Sequence, residues 1–128
     1  MTLTRILSIE DDPDIREILR LSLETVGGLE VCICGSAGEA IEQAADFGPD
    51  MLLVDAMMPA VDGPSALVAL RKVAGLASIP AVFLTARVAP SEVQYYYELG
   101  AVGVIAKPFD PMTLATQLRT LWKEAVHG

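Results

Sequence analysis

The sequence predicts a doubly wound α/β domain, in which helices cover both faces of a parallel β-sheet. Short apolar runs alternate along the chain with longer segments whose apolar residues recur at helical spacing. The 128 residues are 52% hydrophobic but only 5% aromatic, so Val, Ile, Leu and Ala must fill the core. Such residues suit helices packed on a parallel sheet. The length is that of about one ordinary domain, so we expect residues 1–128 to form a single domain.

Five apolar runs are predicted to be the strands: residues 6–9, 29–34, 51–54, 79–84 and 102–106. The third run is apolar throughout and is followed by Asp55. Continuous apolar sequence is typical of a central parallel strand that is buried on both faces. The ligand site of a doubly wound sheet lies beyond the carboxyl ends of its strands, so the residues that follow these runs are expected to carry the chemistry.

Each run is followed by a predicted helix, and capping residues indicate where the helices begin. Asp12 and Ser36 are expected N-caps, with Pro13 at a first helical position and Glu39 completing a capping box. The other three helices are expected to begin near residues 63, 90 and 111. The predicted inward-facing stripe of the first helix comprises Ile15, Ile18, Leu19, Ser22 and Val26.

The formal net charge of −8 disfavours binding to phosphate backbones and to anionic membranes. We therefore expect no direct contact with nucleic acid and none with a membrane. A cation, or a basic patch on a partner protein, is the expected kind of ligand.

The two cysteines, Cys32 and Cys34, lie two residues apart on one face of the second predicted strand. That spacing has poor geometry for a disulfide. A metal site at this pair would need further ligands, whereas the one histidine, His127, is distant in the sequence. Buried free thiols in a reducing cytoplasm are the preferred interpretation.

Charged and hydroxyl side chains follow four of the five predicted strands. They are Glu10, Asp11 and Asp12 after the first strand, Asp55 after the third, Thr85 after the fourth and Lys107 after the fifth. Each alone has an ordinary interpretation, such as a helix cap for Asp12, a turn residue for Thr85 or a surface charge for Lys107. Their conjunction at the ends of four strands favours a functional site.

The chemistry of this set is that of phosphoryl transfer to a carboxylate. Neighbouring carboxylates repel one another, and a hard cation such as Mg²⁺ relieves the repulsion while binding phosphate oxygens. Asp55 can act as a nucleophile and form an aspartyl phosphate. Lys107 would offset charge on the phosphoryl oxygens during transfer. The hydroxyl of Thr85 would hydrogen-bond the bound phosphoryl group.

Four motifs resemble the receiver domain of two-component response regulators, and together they cover essentially the whole chain. They are the run 6–13, the segment 55–59 with Asp62-Gly63 behind it, the pair Thr85-Ala86, and residues 107–109. The resemblance implies a flavodoxin-like (βα)5 fold with a five-stranded parallel sheet in the order 2-1-3-4-5. It also implies a cis peptide bond before Pro108.

The resemblance assigns a role to each matching residue. Asp55 is the phosphoacceptor, and the metal ligands are Glu10 (mainly through water), Asp11, Asp55 and the backbone carbonyl of Met57. Thr85, the backbone N–H of Ala86, and Lys107 would contact the phosphoryl group. The implied cofactor is Mg²⁺.

The resemblance also implies partners. A histidine kinase or a histidine phosphotransfer protein would supply the phosphoryl group in the cytoplasm, and an output protein would bind the face formed by the fourth helix, fifth strand and last helix. The domain would be a regulatory phosphoacceptor that assists its own phosphorylation and dephosphorylation, not an enzyme, and we expect no output domain within residues 1–128.

Two features bear on how such a switch would signal. Val104 stands where the family often has an aromatic switch residue. Three consecutive tyrosines, residues 95–97, cannot all be buried on one face of a helix, so at least one is expected at the surface. We expect Trp122 to pack in the core.

Three other functions remain to be distinguished. A hydrolase similar to the haloacid dehalogenases would have a second Asp where Met57 stands. A flavodoxin-like cofactor binder would have a first loop rich in Ser, Thr and Gly instead of an acidic one. A receiver-like scaffold that signals without phosphorylation is the third alternative, and Val104 keeps it open.

Overall fold

The computed structural model describes residues 2–127, which form five parallel strands in the order β2-β1-β3-β4-β5. The strands are β1 (Arg5–Ile9), β2 (Glu30–Cys34), β3 (Met51–Asp55), β4 (Ala81–Thr85) and β5 (Gly103–Ala106). The helices are α1 (Pro13–Arg20, continued by a π-helical turn, Leu21–Val26), α2 (Ala37–Phe47), α3 (Gly63–Arg71), α4 (Pro90–Glu98) and α5 (Leu114–His127). This is the predicted doubly wound topology and strand order.

Two apolar layers sandwich the sheet. Helices α2, α3 and α4 bury residues such as Ala40, Leu70 and Tyr96 on one face. Helices α1 and α5 bury Leu19 and Leu118 on the other. Burial on both faces explains why every residue of β3 and β4 is almost inaccessible to solvent. Trp122 is in the second layer, as predicted, and its indole N–H donates to the carbonyl of Asp50 at 3.1 Å.

The predicted capping residues begin their helices. Asp12 accepts from the Asp14 N–H at 2.8 Å, and Ser36 accepts from the Glu39 N–H at 3.2 Å. Glu39 reaches back one residue further than in a standard capping box, because its Oε2 accepts from the N–H of Gly35.

The prediction for the start of α5 was three residues early. Residues 111–113 form a turn, in which the Asp110 carboxylate accepts from the N–H of Met112. Regular helix begins at Leu114.

The predicted stripe of the first helix was partly wrong. Leu19 and Ser22 are buried as expected, but Ile18 and Val26 are each 42% exposed and Leu23 is buried instead. For Leu23 and Val26 the cause is the π-helical turn, in which the Gly27 N–H donates to the carbonyl of Ser22 and so spans five residues, whereas Ile18 precedes this turn. The wider turn rotates the following side chains away from the phase of a regular helix.

The prediction of buried thiols was correct for Cys34 and only partly correct for Cys32. Both thiols are free, and Cys34 is fully buried, but Cys32 is half-buried because β2 is an edge strand.

The exposure of the tyrosines agrees with prediction. Tyr96 packs on Phe83, whereas Tyr95 and Tyr97 are 49% and 46% exposed.

Within residues 2–127, no helix combines the length and apolar character needed to cross a membrane.

Candidate functional site

The predicted site residues converge at one edge of the sheet. Glu10 directly follows β1, Asp55 and Thr85 are the last residues of β3 and β4, and Lys107 directly follows β5. The strand register brings them together, because Ile9 pairs with Val54 and Thr85 pairs with Ala106. Glu10, Asp55 and Thr85 are each no more than 3% exposed. Buried polar groups at the ends of apolar strands are expensive to retain unless they serve a purpose.

Three carboxylates form an acidic cluster. One oxygen from each of Glu10, Asp11 and Asp55 lies within 4.8 Å of the others. Asp11 is exposed, which gives solvent and ions access to the two buried members. Glu10 Oε1 is buried and has no well-directed hydrogen bond, although Lys107 Nζ lies 3.0 Å away as an ion pair. Three clustered carboxylate groups, of which the single ammonium of Lys107 pairs with two, are what a site for a hard cation is expected to contain.

Lys107 links the two buried carboxylates. Its Nζ is 3.0 Å from Glu10 Oε1 and 3.2 Å from Asp55 Oδ2. Its backbone N–H donates to the carbonyl of Thr85, which continues the sheet pairing past the end of β5. Burial alone would lower the pKa of Lys107, but its contacts with Glu10 and Asp55 outweigh burial and raise that pKa. The Lys107–Pro108 peptide bond is cis, as predicted.

The electrostatic cost of the cluster falls mainly on Glu10. Burial, with a further contribution from the charge of Asp55, raises the pKa of Glu10 from 4.5 to about 7. Lys107 and the N–H of Asp12, which donates to Glu10 Oε2 at 3.2 Å, reduce this rise without cancelling it. A bound cation would favour the charged form of Glu10.

Backbone N–H groups hold the other polar side chains. The Met57 N–H donates to Asp55 Oδ1 at 3.2 Å, so Lys107 and Met57 together hold both oxygens of Asp55. The side chain of Met57 is 54% exposed, and its thioether can act as neither an acid nor a base. The Arg87 N–H donates to Thr85 Oγ1 at 3.0 Å, so the hydroxyl hydrogen of Thr85 is available to another acceptor.

Sequence reasoning missed Arg16, and it included Gly63 in a motif without a packing role. Arg16, on α1, donates from Nη1 to the carbonyls of Glu10 and Asp11 at 2.9 and 3.0 Å, which fixes the acidic loop. A signal for it existed, because Arg16 lies in the first turns of the helix that follows the acidic residues. Gly63 allows α3 to approach β3, since a Cβ there would be 2.5 Å from the carbonyl oxygen of Asp55. Asp62 caps α3 by accepting from the Ser65 N–H.

Comparison with known proteins identifies the family. Residues 6–119 match the model of the response regulator receiver domain, and the chain belongs to this family. The chain is 36% identical to response regulator Rre1 of Synechocystis sp. over 116 residues, which cover 91% of the chain and 50% of that protein. It is 37% identical to response regulator MprA of Mycobacterium leprae, over 91% of this chain and 50% of that protein. The family match agrees with a receiver and favours neither the flavodoxin-like cofactor binder nor the hydrolase.

Solved structures show the same fold. The chemotaxis protein CheY4 of Vibrio cholerae superposes with a TM-score of 0.85 at 28% identity, covering 93% of this chain and 98% of that one. A response regulator structure from Chloroflexus aurantiacus superposes with a TM-score of 0.81 at 30% identity, covering 94% and 98%. The strand order predicted from the sequence is thereby confirmed as that of CheY-like receivers.

The chain spans about half the length of the sequence relatives it matches. One of them, MtrA of Mycolicibacterium smegmatis, is named a DNA-binding response regulator and is 32% identical over 90% of this chain and 49% of its own length. The expectation that this protein makes no direct contact with nucleic acid therefore stays a prediction, as does that of a single domain without an output domain.

Proposed function

We propose that this protein is a phosphorylation-activated receiver in which Asp55 accepts a phosphoryl group with the help of Mg²⁺. The donor would be a histidine kinase or a histidine phosphotransfer protein. The observation that carries the proposal is the position of Lys107 Nζ, 3.0 Å from Glu10 Oε1 and 3.2 Å from Asp55 Oδ2, beside three clustered carboxylates. A buried nucleophilic carboxylate, a fixed cation and oxygen ligands for a metal are the groups that phosphoryl transfer requires.

The residues present fit Mg²⁺. This ion prefers one or two carboxylates together with water and phosphate oxygens, and the cluster offers three carboxylates, one of them on the exposed residue Asp11. Glu10, Asp11, Asp55 and the backbone carbonyl of Met57 would hold the ion. When bound, it would supply positive charge to the phosphoryl oxygens during transfer.

The chain's own groups prepare Asp55 for attack. The Met57 N–H on Oδ1 and the Lys107 ammonium on Oδ2 fix the orientation of the carboxylate before a donor arrives. An Asp55 oxygen forms the new bond to phosphorus as the bond between phosphorus and the donor's histidine nitrogen breaks, and that nitrogen leaves with the electron pair. Lys107 stays beside the site and offsets charge on a phosphoryl oxygen.

The switch would run through β4 and β5. The Thr85 hydroxyl and the Ala86 N–H would bind the phosphoryl group, and movement of Thr85 would change the surface made by α4, β5 and α5. On that surface Val104 is half-buried and lines an open groove of about 640 Å³ with Phe109 and Leu121. A groove beside a small aliphatic residue supports this face as the place where an output protein binds.

Intact mass spectrometry tests the phosphorylation step. Incubation with acetyl phosphate should add one phosphoryl group per chain when Mg²⁺ is present and none when EDTA replaces it. Asp55→Asn should abolish the addition. Asp12→Asn is a matched control, because Asn can also cap α1, and it should be phosphorylated like wild type. Equal labelling of Asp55→Asn and wild type would remove Asp55 from the mechanism, and a protein that accepts no phosphate would favour the phosphorylation-independent scaffold.

A second experiment separates transfer from switching. Thr85→Ala should still be phosphorylated, because the Thr85 hydroxyl carries no charge that drives transfer. It should lose much of the conformational response, since a ligand shifts an equilibrium only through contacts that differ between the two states. Amide chemical shifts of residues 86–107, recorded with and without beryllofluoride, measure the response. A full response in Thr85→Ala would mean that the signal leaves the site by another route.

A further inference from the structure

A pair of thiols lies outside the acidic site and faces α2. The Sγ atoms of Cys32 and Cys34 are 3.8 Å apart on one face of β2. Two thiolates bound to one tetrahedral zinc ion, each at about 2.3 Å, are themselves separated by about 3.8 Å. The two sulfur atoms therefore already have the spacing that a tetrahedral thiophilic ion requires. Cys32 is half-buried on the edge strand, which gives an ion access from solvent.

Helix α2 supplies a third donor. Gln43 Oε1 accepts from the Cys32 thiol at 3.0 Å, and Gln43 is exposed to solvent on its outer side. The Gln43 Nε2 faces Glu39 Oε1 at 3.5 Å, while Glu39 Oε2 accepts from the Gly35 N–H. Glu39 thereby orients the Gln43 amide so that the amide oxygen faces the thiols. Carboxylates that hydrogen-bond a metal ligand commonly orient the ligand in this way. The spacing of the cysteines in the sequence gave no indication of this donor, which the fold brings to them.

We propose that Cys32, Cys34 and Gln43 form a binding site for one thiophilic divalent metal ion of the Zn²⁺ or Cd²⁺ class, with a fourth position open to water. Binding replaces two S–H bonds by two sulfur–metal bonds and releases two protons to solvent. Burial, with the neighbouring Cys32, raises the pKa of the Cys34 thiol to about 12, so the metal must displace this proton.

The proposed metal site is one hydrogen bond away from the acidic cluster. The carbonyl of Cys34 accepts from the Glu10 N–H at 2.9 Å, and Cys34 pairs with Ile9 in the sheet. An ion bound to the Cys34 sulfur acts on the residue whose carbonyl holds the Glu10 N–H. The amide resonance of Glu10 is therefore expected to shift when the site fills, whether or not Asp55 accepts a phosphoryl group.

Titration of the full chain with Cd²⁺ in excess Mg²⁺ tests the site, because Mg²⁺ competes for the carboxylates but not for thiolates. We expect a sulfur-to-cadmium charge-transfer absorbance that saturates at one ion per chain and corresponds to two thiolates. Cys32→Ser should abolish the band. Loss of an outer partner of a metal ligand costs about 10–100-fold in affinity, so Gln43→Leu, which removes a direct ligand, should weaken binding by at least about tenfold.

Gln94→Leu is the matched control. Gln94 lies on α4, and like Gln43 it contacts a glutamate four positions away, with its Nε2 at 3.4 Å from Glu98 Oε1. It should bind Cd²⁺ like wild type. Thermal melting checks that each variant is folded, and Cys32→Ser alters a half-buried side chain that the core can lose without collapse. No thiolate band, or binding that survives Cys32→Ser, would overturn the proposal. Equal weakening by Gln43→Leu and Gln94→Leu would overturn the role of Gln43.

Discussion

Glu10 and Lys107 show how single residues share the electrostatic cost of the site. The two side chains meet at 3.0 Å, yet the pKa of Glu10 is raised because burial and the charge of Asp55 outweigh the attraction of Lys107. One ammonium group cannot satisfy two buried carboxylates and an exposed third. Burial of Glu10 therefore disfavours its charged form even though Lys107 lies beside it.

The raised pKa of Glu10 predicts the pH dependence of stability. In metal-free protein, between about pH 4.5 and about pH 7, the folded state binds more protons at Glu10 than the unfolded state does, so the free energy of unfolding falls as pH rises. The raised pKa of Lys107 acts only above its usual value of 10.5, outside this window. In EDTA, the melting temperature of wild type should be lower at about pH 8 than at about pH 5. The difference between the two pH values should be smaller for Glu10→Gln.

Parallel melting curves for the two proteins across this range would show that Glu10 is not the group that titrates. Asp62→Asn is a suitable control, because the Asp62 carboxyl is exposed and its pKa is lowered by the N–H and side chain of Ser65. Its contribution is present above pH 3.8 and is lost only as the pH falls further, so this variant should keep the wild-type slope.

At the scale of the elements, the π-helical turn at the end of α1 ties that helix to α5. Ser22 Oγ donates to the carbonyl of Pro111 at 2.6 Å, and Arg119 of α5 donates to the carbonyl of Gly27. The turn therefore anchors Pro111, within the segment that leads from Lys107 into α5, and Arg119, within α5 itself. Gly27 allows the π-helical turn to approach α5 closely. A Cβ there would be 2.6 Å from the Cβ of Ala115 and 2.7 Å from the carbonyl oxygen of Leu23.

This close approach predicts opposite effects at two glycines. Gly27→Ala should lower the free energy of unfolding by about 1–3 kcal/mol, because the added methyl group overpacks the α1–α5 contact. Gly38→Ala should raise it by about 0.4–1 kcal/mol, since Gly38 is within α2 and nothing lies within 4 Å of the new Cβ. Urea denaturation measures both. Similar changes in the two variants would mean that the contact with α5 can relax.

At the scale of the whole molecule, the fold concentrates negative charge at one edge of the sheet. The net charge is −8, and of three carboxylates with one oxygen each within 4.8 Å of the others, Lys107 pairs with two, Glu10 and Asp55. This arrangement costs stability in the metal-free protein, as functional sites commonly do. Mg²⁺ that binds the folded cluster and hardly binds the unfolded chain would offset the cost. At 100 times its dissociation constant it should add about 2.7 kcal/mol, or roughly 10 °C in melting temperature.

The order of the melting temperatures of wild type and Asp11→Asn should differ between EDTA and excess Mg²⁺. The variant should melt higher than wild type in EDTA, because it removes one charge from the repelling cluster. It should gain little from Mg²⁺, because it also removes a metal ligand. Asp12→Asn, one residue along, should keep the full gain from Mg²⁺. Melting curves in EDTA and in excess Mg²⁺ decide the matter, and equal gains in Asp11→Asn and wild type would exclude Asp11 as a direct ligand.

The sequence by itself determined the five-stranded α/β architecture and the edge at which the site lies. Those features depend on local patterns, namely apolar runs of strand length, capping residues such as Asp12 and Ser36, and the polar residues at the ends of four of the five strands. The convergence of Glu10, Asp55, Thr85 and Lys107 then follows from one topological rule, that the carboxyl ends of parallel strands meet at the same edge.

Only the tertiary structure decided the detailed contacts of several side chains. The π-helical turn moves Leu23 inward in place of Val26, Arg16 holds the acidic loop, and Gln43 comes to lie beside Cys32. The positions of Leu23 and Gln43 have no local signature, because they depend on how closely a helix packs on the sheet or on another helix. A sequence pattern specifies which face of an element is apolar, whereas packing sets the distances at which neighbouring elements meet, and those distances decide which polar atoms find partners.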